Sequence, residues 1–346
     1  MLNQQKRPLG QTNIALTALG FGAAPIGNLY RAVTDSVAHS AVKAALDAGI
    51  NYFDSAPLYG FGLSERRVGH VLSGSSHKPV LSSKVGRRLK TTEQTPSDIR
   101  HGFASSELKE PWFDYSYDGV MRSFEESLQR LQTSHINILL AHDLGRVTHG
   151  DKHEVTLQQF LQSGYRAMAQ LKDEGCVDAI GVGVNEWQVC MEVFDHVDFD
   201  CVLLAGRYTL LDQSAAREFL PTCEQRNVSV ISGGPFNSGI LASGLNQHNG
   251  DQKNYYDYAP APKPVVQRVR EIEKVCREYS VSLPAAALQF PLGCPQVCSV
   301  LAGLADATQV STAISLLDER IPAEFWQALK ARNLLEASAI LPGALT

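Results

Sequence analysis

The chain has 346 residues, of which 44% are hydrophobic and 19% are charged, and its formal net charge is −5. Such values are ordinary for a globular protein with a large core, and this length accommodates two average domains or one (β/α)8 barrel with insertions. The negative charge and the lack of a Lys/Arg stripe argue against a nucleic-acid-binding surface.

The termini and the cysteines predict a cytoplasmic protein. The opening segment MLNQQKRPLG lacks the apolar region of a signal peptide, and no apolar run approaches the roughly 18 residues that a membrane span needs. The seven cysteines are scattered, and Cys294 and Cys298 form a CxxxC pair without matching His or Cys partners. We therefore expect reduced thiols and no bound metal.

Short apolar runs alternate with helical patterns along the whole chain. The runs are LTALGFG (16–22), INYFD (50–54), PVLSSK (79–84), INILLAH (136–142), VDAIGVG (177–183), CVLLAG (201–206), VSVISG (228–233) and VCSVLAG (297–303). This alternation is typical of parallel strands joined by crossover helices. Eight rounds favour a closed α/β TIM barrel over an open doubly wound sheet.

The remaining segments complete the predicted barrel. Residues 6–19 are interpreted as a hairpin that plugs the barrel bottom, and residues 322–335 as an extra C-terminal helix. No Pro/Gly/Ser-rich linker interrupts the pattern, so residues 1–346 are expected to form a single domain. Two loops are long for this fold, 85–117 after the third strand and 234–263 after the seventh. Both are rich in aromatic residues and lie at the carboxyl-terminal face, where loops often cover the active site.

Residues 53–65, FDSAPLYGFGLSE, carry the strongest chemical signal. Asp54 ends an apolar strand and Tyr59 follows in the loop, so an acid and a phenol meet at one strand end. Barrel enzymes build active sites at that position. Ser64 and Glu65 are predicted to open the next helix as a capping pair.

These residues resemble the signature of the aldo-keto reductase family, and the resemblance covers nearly the whole chain. Lys84 ends PVLSSK and His142 ends INILLAH, so Asp54, Tyr59, Lys84 and His142 match the four catalytic residues of the family in order. The resemblance implies that Tyr59 exchanges a proton with the substrate oxygen and that His142 donates a hydrogen bond to it. Lys84, held by Asp54, would lower the pKa of Tyr59.

No GxGxxG follows the first strand, which argues against a Rossmann site. The resemblance implies instead a nicotinamide dinucleotide that lies extended across the barrel mouth. The matching cofactor positions are Gly22, Ala23, Asn185, Tyr208, Pro235, Phe236, Asn237, Gly239, Leu241, Gly303, Leu304 and Gln309. Three positions depart from the family pattern: Val184 replaces Ser, Ala205 replaces Gln, and Gly233 replaces a stacking aromatic residue.

The residues after Gly303 are expected to influence whether the chain binds NAD or NADP. Members that prefer NADP carry a Lys or Arg there, whereas this chain has Leu304, Ala305 and Asp306. The missing cation removes a clamp for the 2′-phosphate, and Asp306 would repel that group. We therefore predict that the chain prefers NAD or uses both cofactors.

Within the family, the stretches LGFGAAPIGNLY and FDSAPLYGFGLSERRVG are most similar to the aldose 1-dehydrogenase branch, together with L-galactose and pyridoxal dehydrogenases. This predicts oxidation of a free aldose of the L-fucose, D-arabinose or L-galactose type to its lactone, with Tyr30 and Trp112 against the substrate. The partner is thus a small sugar or aldehyde, and the chain is expected to be a monomer or a weak homo-oligomer.

Several alternatives remain open. Within the family they are a pyridoxal 4-dehydrogenase and a general aldehyde or ketone reductase. Outside the class of family enzymes, the fold also serves as a cofactor-binding regulatory subunit of channels. A metal-dependent hydrolase would need a ligand cluster such as HxH after the first strand, which this sequence lacks.

Overall fold

A computed structural model describes residues 5–93, 99–105, 107–245 and 254–343. Its strands are β1 (Lys6–Pro8), β2 (Ala15–Thr17), β3 (Leu19–Gly22), β4 (Tyr52–Asp54), β5 (Val80–Val85), β6 (Arg87–Thr91), β7 (Lys109–Phe113), β8 (Ile138–His142), β9 (Ala179–Val184), β10 (Cys201–Ala205), β11 (Ser229–Gly233), β12 (Tyr255–Tyr256), β13 (Ala259–Pro260) and β14 (Val297–Gly303). Its helices are α1 (Asp35–Asp47), α2 (Leu63–Ser73), α3 (Tyr117–Leu131), α4 (Arg146–His149), α5 (His153–Gln159), α6 (Tyr165–Asp173), α7 (Gln188–Phe194), α8 (Phe219–Arg226), α9 (Ile240–Ser243), α10 (Lys263–Glu278), α11 (Leu283–Gln289), α12 (Ala307–Asp318) and α13 (Ala323–Ala331).

Eight parallel strands close into a barrel in the order β10-β11-β14-β3-β4-β5-β8-β9. Each of the eight apolar runs supplies one of them, so the predicted TIM barrel is confirmed. The strands are buried on both faces, because the helices cover the outside and side chains fill the inside. The barrel register sets Asp54 beside Ser82 and Lys84 beside Leu140, which brings successive strand ends to one rim.

The predicted hairpin at the barrel bottom is confirmed. Strands β1 and β2 pair antiparallel, and Leu9, Ile14 and Leu16 pack into the lower barrel core against buried residues such as Tyr52 and Ile138. The Arg7 guanidinium donates to the carbonyl of Val297 at 2.9 Å. The closed lower end leaves the carboxyl-terminal rim as the accessible mouth.

Apolar periodicity predicts the outer helices well. Helix α3 is capped by Ser116, whose hydroxyl accepts from the Gly119 amide, and it buries Val120, Phe124 and Leu131 on one face. The C-terminal helix is present as α13 but is shorter than predicted. Helix α11 was not predicted, although Ser282 before Leu283 and Pro284 is a recognisable start signal, because its seven residues are too few to show a period.

The capping prediction for helix α2 is wrong. The helix begins at Leu63, and its N-cap residue is Gly62 in a left-handed conformation with φ of 93°. Ser64 and Glu65 are fully buried and bond the barrel instead. The Ser64 hydroxyl donates to the Ala23 carbonyl at 2.8 Å, and Glu65 accepts from the Ser83 hydroxyl at 2.6 Å. These residues therefore position the rim near the strands that carry Asp54 and Lys84 and do not satisfy the helix end.

The two long loops each contain a small antiparallel sheet. Strands β6 and β7 pair in the first loop, and β12 and β13 in the second. All seven cysteines are free thiols, and six of them are buried. In the described part of the chain, no helix is both long and apolar enough to cross a membrane.

Candidate active site

An ion pair between Asp54 and Lys84 lies at the base of the barrel mouth. Asp54 ends β4 and Lys84 lies one residue before the end of β5. The Lys84 ammonium is 2.8 Å and 2.7 Å from the two carboxylate oxygens and 2.9 Å from the Ser55 carbonyl oxygen. Both side chains are only 2% exposed. Three acceptors engage the three ammonium protons, so the orientation of Lys84 is fully determined.

Tyr59 lies over this pair in the loop after β4. Its ring centroid is 4.8 Å from Lys84 Nζ. Burial of the phenol, followed by the nearby Asp54 carboxylate, raises the pKa of Tyr59 well above its usual value of 10.0. Burial therefore outweighs the nearby positive charges, of which Arg87 lowers the pKa of the phenol. The effect of Lys84 on this pKa stays a prediction.

His142 ends β8 and faces Tyr59 edge-on, with the ring centroids 6.0 Å apart. Burial, followed by the charges of Arg87 and Lys84, lowers the pKa of His142 well below 6.5. The imidazole is therefore neutral at pH 7, and one of its nitrogens can donate to a substrate oxygen. Its Nδ1 is buried without a hydrogen-bond partner among the described residues. The structure thus brings all four predicted catalytic residues together.

The neutral state of His142 has a consequence for stability at acid pH. The unfolded histidine takes up a proton below about pH 6.5 whereas the folded one resists it, so its contribution to stability is complete above that pH and is lost as the pH falls. We expect the wild-type unfolding free energy to decrease between pH 6.5 and 5 more steeply than that of His142→Asn, by up to about 1.4 kcal/mol per pH unit. Denaturant titrations at several pH values measure the difference. Parallel curves for the two proteins would contradict the assignment of a neutral buried imidazole.

A cavity of about 410 Å³ opens above these residues. Its described lining includes Tyr59, Lys84 and His142 together with Tyr30, one of the two predicted substrate contacts. Trp112, the other, does not belong to this lining. It lies on β7 and stacks on Arg88, whose guanidinium carbon is 5.4 Å from the ring centroid. The aromatic residue that the first long loop contributes to the cavity is Phe103, whose ring centroid is 5.9 Å from that of Tyr59.

Most predicted cofactor positions lie together on one side of the mouth. Gly22 and Gly303 are register partners at the ends of the adjacent strands β3 and β14, and Ala23 and Leu304 follow them. The segment that contains Pro235, Phe236, Asn237, Gly239 and Leu241 follows β11, the other neighbour of β14. Asn237, Ser238 and Gly239 all have positive φ, which curls this segment tightly. The predicted cofactor positions in or after β3, β11 and β14 thus lie along one continuous part of the rim.

Asn185 and Tyr208 have different surroundings. Asn185 lines the cavity, and its amide nitrogen donates to Asp143 Oδ1 at 3.2 Å. Tyr208 is 1% exposed and packs on Phe290 in the core outside the cavity lining, with ring centroids 5.3 Å apart. The structure therefore does not bring Tyr208 to the predicted cofactor site. The replacements Val184 and Ala205 do line the cavity, so apolar groups stand where the family has polar ones.

The N-terminus of helix α12 is capped by the protein's own side chains. The Asp306 carboxylate accepts from the Gln309 amide at 2.8 Å, and the Gln309 side chain accepts from the Ala305 amide at 2.8 Å. A carboxylate thus already interacts with this end of the helix dipole. The arrangement leaves a second anion, such as a 2′-phosphate, less favoured there.

Sequence reasoning assigned no role to most of the residues that line the cavity. Among them are Arg87, Phe103, Asp143 and Tyr258. Asp143 directly follows His142 and Arg87 lies three residues after Lys84, so proximity to the catalytic residues was an available signal. Phe103 and Tyr258 lie in the long loops, where no pattern in the sequence separates cavity residues from outward-facing ones.

Comparisons with known proteins agree with this geometry. Residues 18–333 match the sequence profile described as the aldo/keto reductase family. Pyridoxal 4-dehydrogenase of Microbacterium luteolum is 42% identical over 96% of this chain and 98% of its own length. D-threo-aldose 1-dehydrogenase of a Pseudomonas species is 37% identical over 93% and 95%.

A solved structure is also similar. The holo form of aldo-keto reductase AKR11C1 from Bacillus halodurans superposes with a TM-score of 0.71 at 25% identity, over 96% of this chain and 97% of that one. Together with the sequence relatives, this likeness confirms the predicted family and branch. The chain therefore belongs to the aldo/keto reductase family of nicotinamide-dependent oxidoreductases that act on small-molecule aldehydes and sugars.

Proposed function

We propose that this protein oxidises a cyclic hemiacetal to a lactone at the carbon that bears the hemiacetal hydroxyl, with Tyr59 as the proton acceptor. The observation that best supports this proposal is the buried cluster of Asp54, Lys84, Tyr59 and His142 at the base of the cavity. The sequence relatives named for aldose and pyridoxal substrates point to one chemistry, because both substrates close into hemiacetals in water. Oxidation removes a hydride from the carbon and a proton from the hydroxyl, and a lactone carbonyl forms.

Two hemiacetals remain candidates, and different features favour each. Free aldoses suit the charged and polar groups of Arg87, His101 and Asp143 in the lining. Pyridoxal, a flat aromatic ring, suits the apolar walls of Leu29, Leu58 and Phe103. The higher identity to a pyridoxal dehydrogenase supports the second candidate, so we retain both.

The proposal gives each of the chain's own residues a role that the geometry supports. Neutral His142 would donate a hydrogen bond to the reacting oxygen and hold it near Tyr59. Tyr59 would take the hydroxyl proton, and the positive charge of Arg87 favours its phenolate. Asp54 would keep Lys84 charged and positioned beneath the Tyr59 ring. A bound nicotinamide dinucleotide would supply the hydride acceptor, with Asn185 and the rim around Gly22 and Gly303 as its binding residues.

Absorbance of the reduced nicotinamide tests the proposal directly. The purified protein is assayed with L-fucose, D-arabinose, L-galactose and pyridoxal, each with NAD and NADP, and with simple aldehydes and NADH or NADPH, and the products are identified by mass. We expect at least one hemiacetal to yield its lactone. Turnover of simple aldehydes alone would favour the general reductase. Cofactor binding without any turnover would favour the regulatory subunit.

We further propose that NAD is used at least as well as NADP, because Asp306 caps α12 and no cation follows Gly303. Asp306→Arg is expected to shift the kcat/KM ratio towards NADP by about tenfold or more, through a new charge-assisted hydrogen bond. Asp306→Ser is the matched control, since it removes the charge but keeps a capping hydroxyl. A hundredfold preference of the wild type for NADP would contradict this proposal.

A further inference from the structure

Arg87 and Asp143 form an ion pair in the wall of the catalytic cavity, and the interaction between the two side chains has no part in the roles given above. An Arg87 terminal nitrogen lies 2.7 Å from Asp143 Oδ2, and the side chains are 16% and 8% exposed. Both residues line the cavity beside His142. Ion pairs with so little exposure are costly to desolvate and contribute little net stability, so a functional reason for this pair is a reasonable hypothesis.

Asp143 contacts three functional side chains at once. Besides Arg87, its Oδ2 is 3.4 Å from His142 Nε2, and its Oδ1 accepts from the Asn185 amide. The backbone at Asp143 is left-handed, with φ of 52°, and its amide donates to the Gly183 carbonyl at 2.9 Å. A single carboxylate therefore positions Arg87, the catalytic histidine and the predicted carboxamide-binding residue relative to one another.

Arg87 is held firmly but retains hydrogen-bonding capacity. Its guanidinium carbon lies 5.1 Å from the Phe113 ring centroid, which fixes the plane of the group. A guanidinium has five N–H donors, and the ion pair with Asp143 engages one terminal nitrogen of Arg87. The group also lines the cavity and is 16% exposed, so its other N–H groups can bind a ligand oxygen, and a ligand that lacks such an oxygen is penalised.

We propose that Arg87, positioned by Asp143, recognises a second hydroxyl group of the substrate close to the reacting carbon. This inference rests on the proposed oxidation of a hemiacetal and names the substrate class more narrowly. An aldose carries such a group as its 2-hydroxyl, and pyridoxal carries it as its phenolic hydroxyl. The site thus selects hydroxylated hemiacetals over simple aldehydes.

The first test uses the wild-type enzyme. It compares each hemiacetal that the enzyme oxidises with the analogue that lacks the second hydroxyl. The pairs are L-fucose with 2-deoxy-L-fucose and pyridoxal with 3-deoxypyridoxal. We expect kcat/KM for the deoxy compound to be lower by at least about 10²-fold, because it leaves the Arg87 donor unpaired. Equal oxidation of both members would overturn the inference while the proposed function stands. If no hemiacetal is oxidised, both fail.

The second test assigns the selection to Arg87. Arg87→Leu should reduce the discrimination between parent and deoxy substrate to within about threefold, and Arg87→Lys should restore part of it. Arg88→Leu is the matched control. Arg88 is equally buried on the same strand and stacks on Trp112, but it pairs with Asp114 and Glu126 outside the cavity lining. Undiminished discrimination in both Arg87 variants, or an equal loss in Arg88→Leu, would contradict the inference.

Discussion

Tyr59→Phe is expected to lower kcat by at least about 10²-fold, because it removes the group that exchanges a proton with the substrate. The ring itself remains, so its packing against Phe103 and its position over Lys84 should be kept. Binding of the nicotinamide cofactor should therefore be nearly unchanged. Steady-state rates and a fluorescence titration of the cofactor measure the two properties separately.

A control for this prediction is available in the same part of the chain. Tyr115 is also buried, and its hydroxyl donates to the His142 carbonyl at 2.5 Å, but it does not line the cavity. Tyr115→Phe removes an equivalent hydroxyl and should reduce the rate far less than Tyr59→Phe. A Tyr59→Phe protein with a rate near that of the wild type would show that another group transfers the proton.

Lys84→Met is expected to cost both activity and stability. It leaves the Asp54 carboxylate buried without its cation, and the loss of one partner of a buried ion pair costs about 3–5 kcal/mol. The remaining donor to Asp54, the Ser82 hydroxyl at 2.7 Å, cannot replace a charge. Activity should fall because nothing then holds a positive charge beneath Tyr59. Denaturant unfolding and kcat/KM measure the two losses.

The double variant Asp54→Asn, Lys84→Met separates the two effects. With both charges removed, much of the lost stability should return, since no unpaired charge remains in the barrel. The catalytic rate should stay low. If the rate returned along with the stability, the pair would be structural only and would have no role in catalysis.

The order of elements was predictable from the sequence because each barrel strand is a short apolar run bounded by helical periodicity. Asp54, Lys84 and His142 were placed correctly for the same reason. Parallel strands carry their ends to one rim, so polar residues at successive strand ends must meet there. The reaction expected of these residues was inferred from the family resemblance.

Residues within loops and at helix starts were predicted less well. Trp112 appeared to be a substrate contact, yet the pairing of β6 with β7 turns it onto Arg88, while Phe103 enters the cavity. Ser64 and Glu65 match a capping pair by residue type, yet the helix begins one residue earlier and buries both. Local sequence cannot distinguish these outcomes, because hairpin register and helix phase depend on what the segment packs against.

The sequence by itself therefore determined the barrel, its closed bottom and the four residues that meet at its mouth. Only the tertiary structure decided the electrostatics of that mouth. Burial of the Tyr59 phenol, followed by the nearby Asp54 carboxylate, raises the pKa of Tyr59, although the Lys84 ammonium lies 4.8 Å from its ring centroid. Arg87 follows β5 and Asp143 follows β8, and the turns after these two strands bring both side chains into the site. Interactions between charges depend on distance and burial in three dimensions, and neither quantity can be obtained from the spacing of residues along the chain.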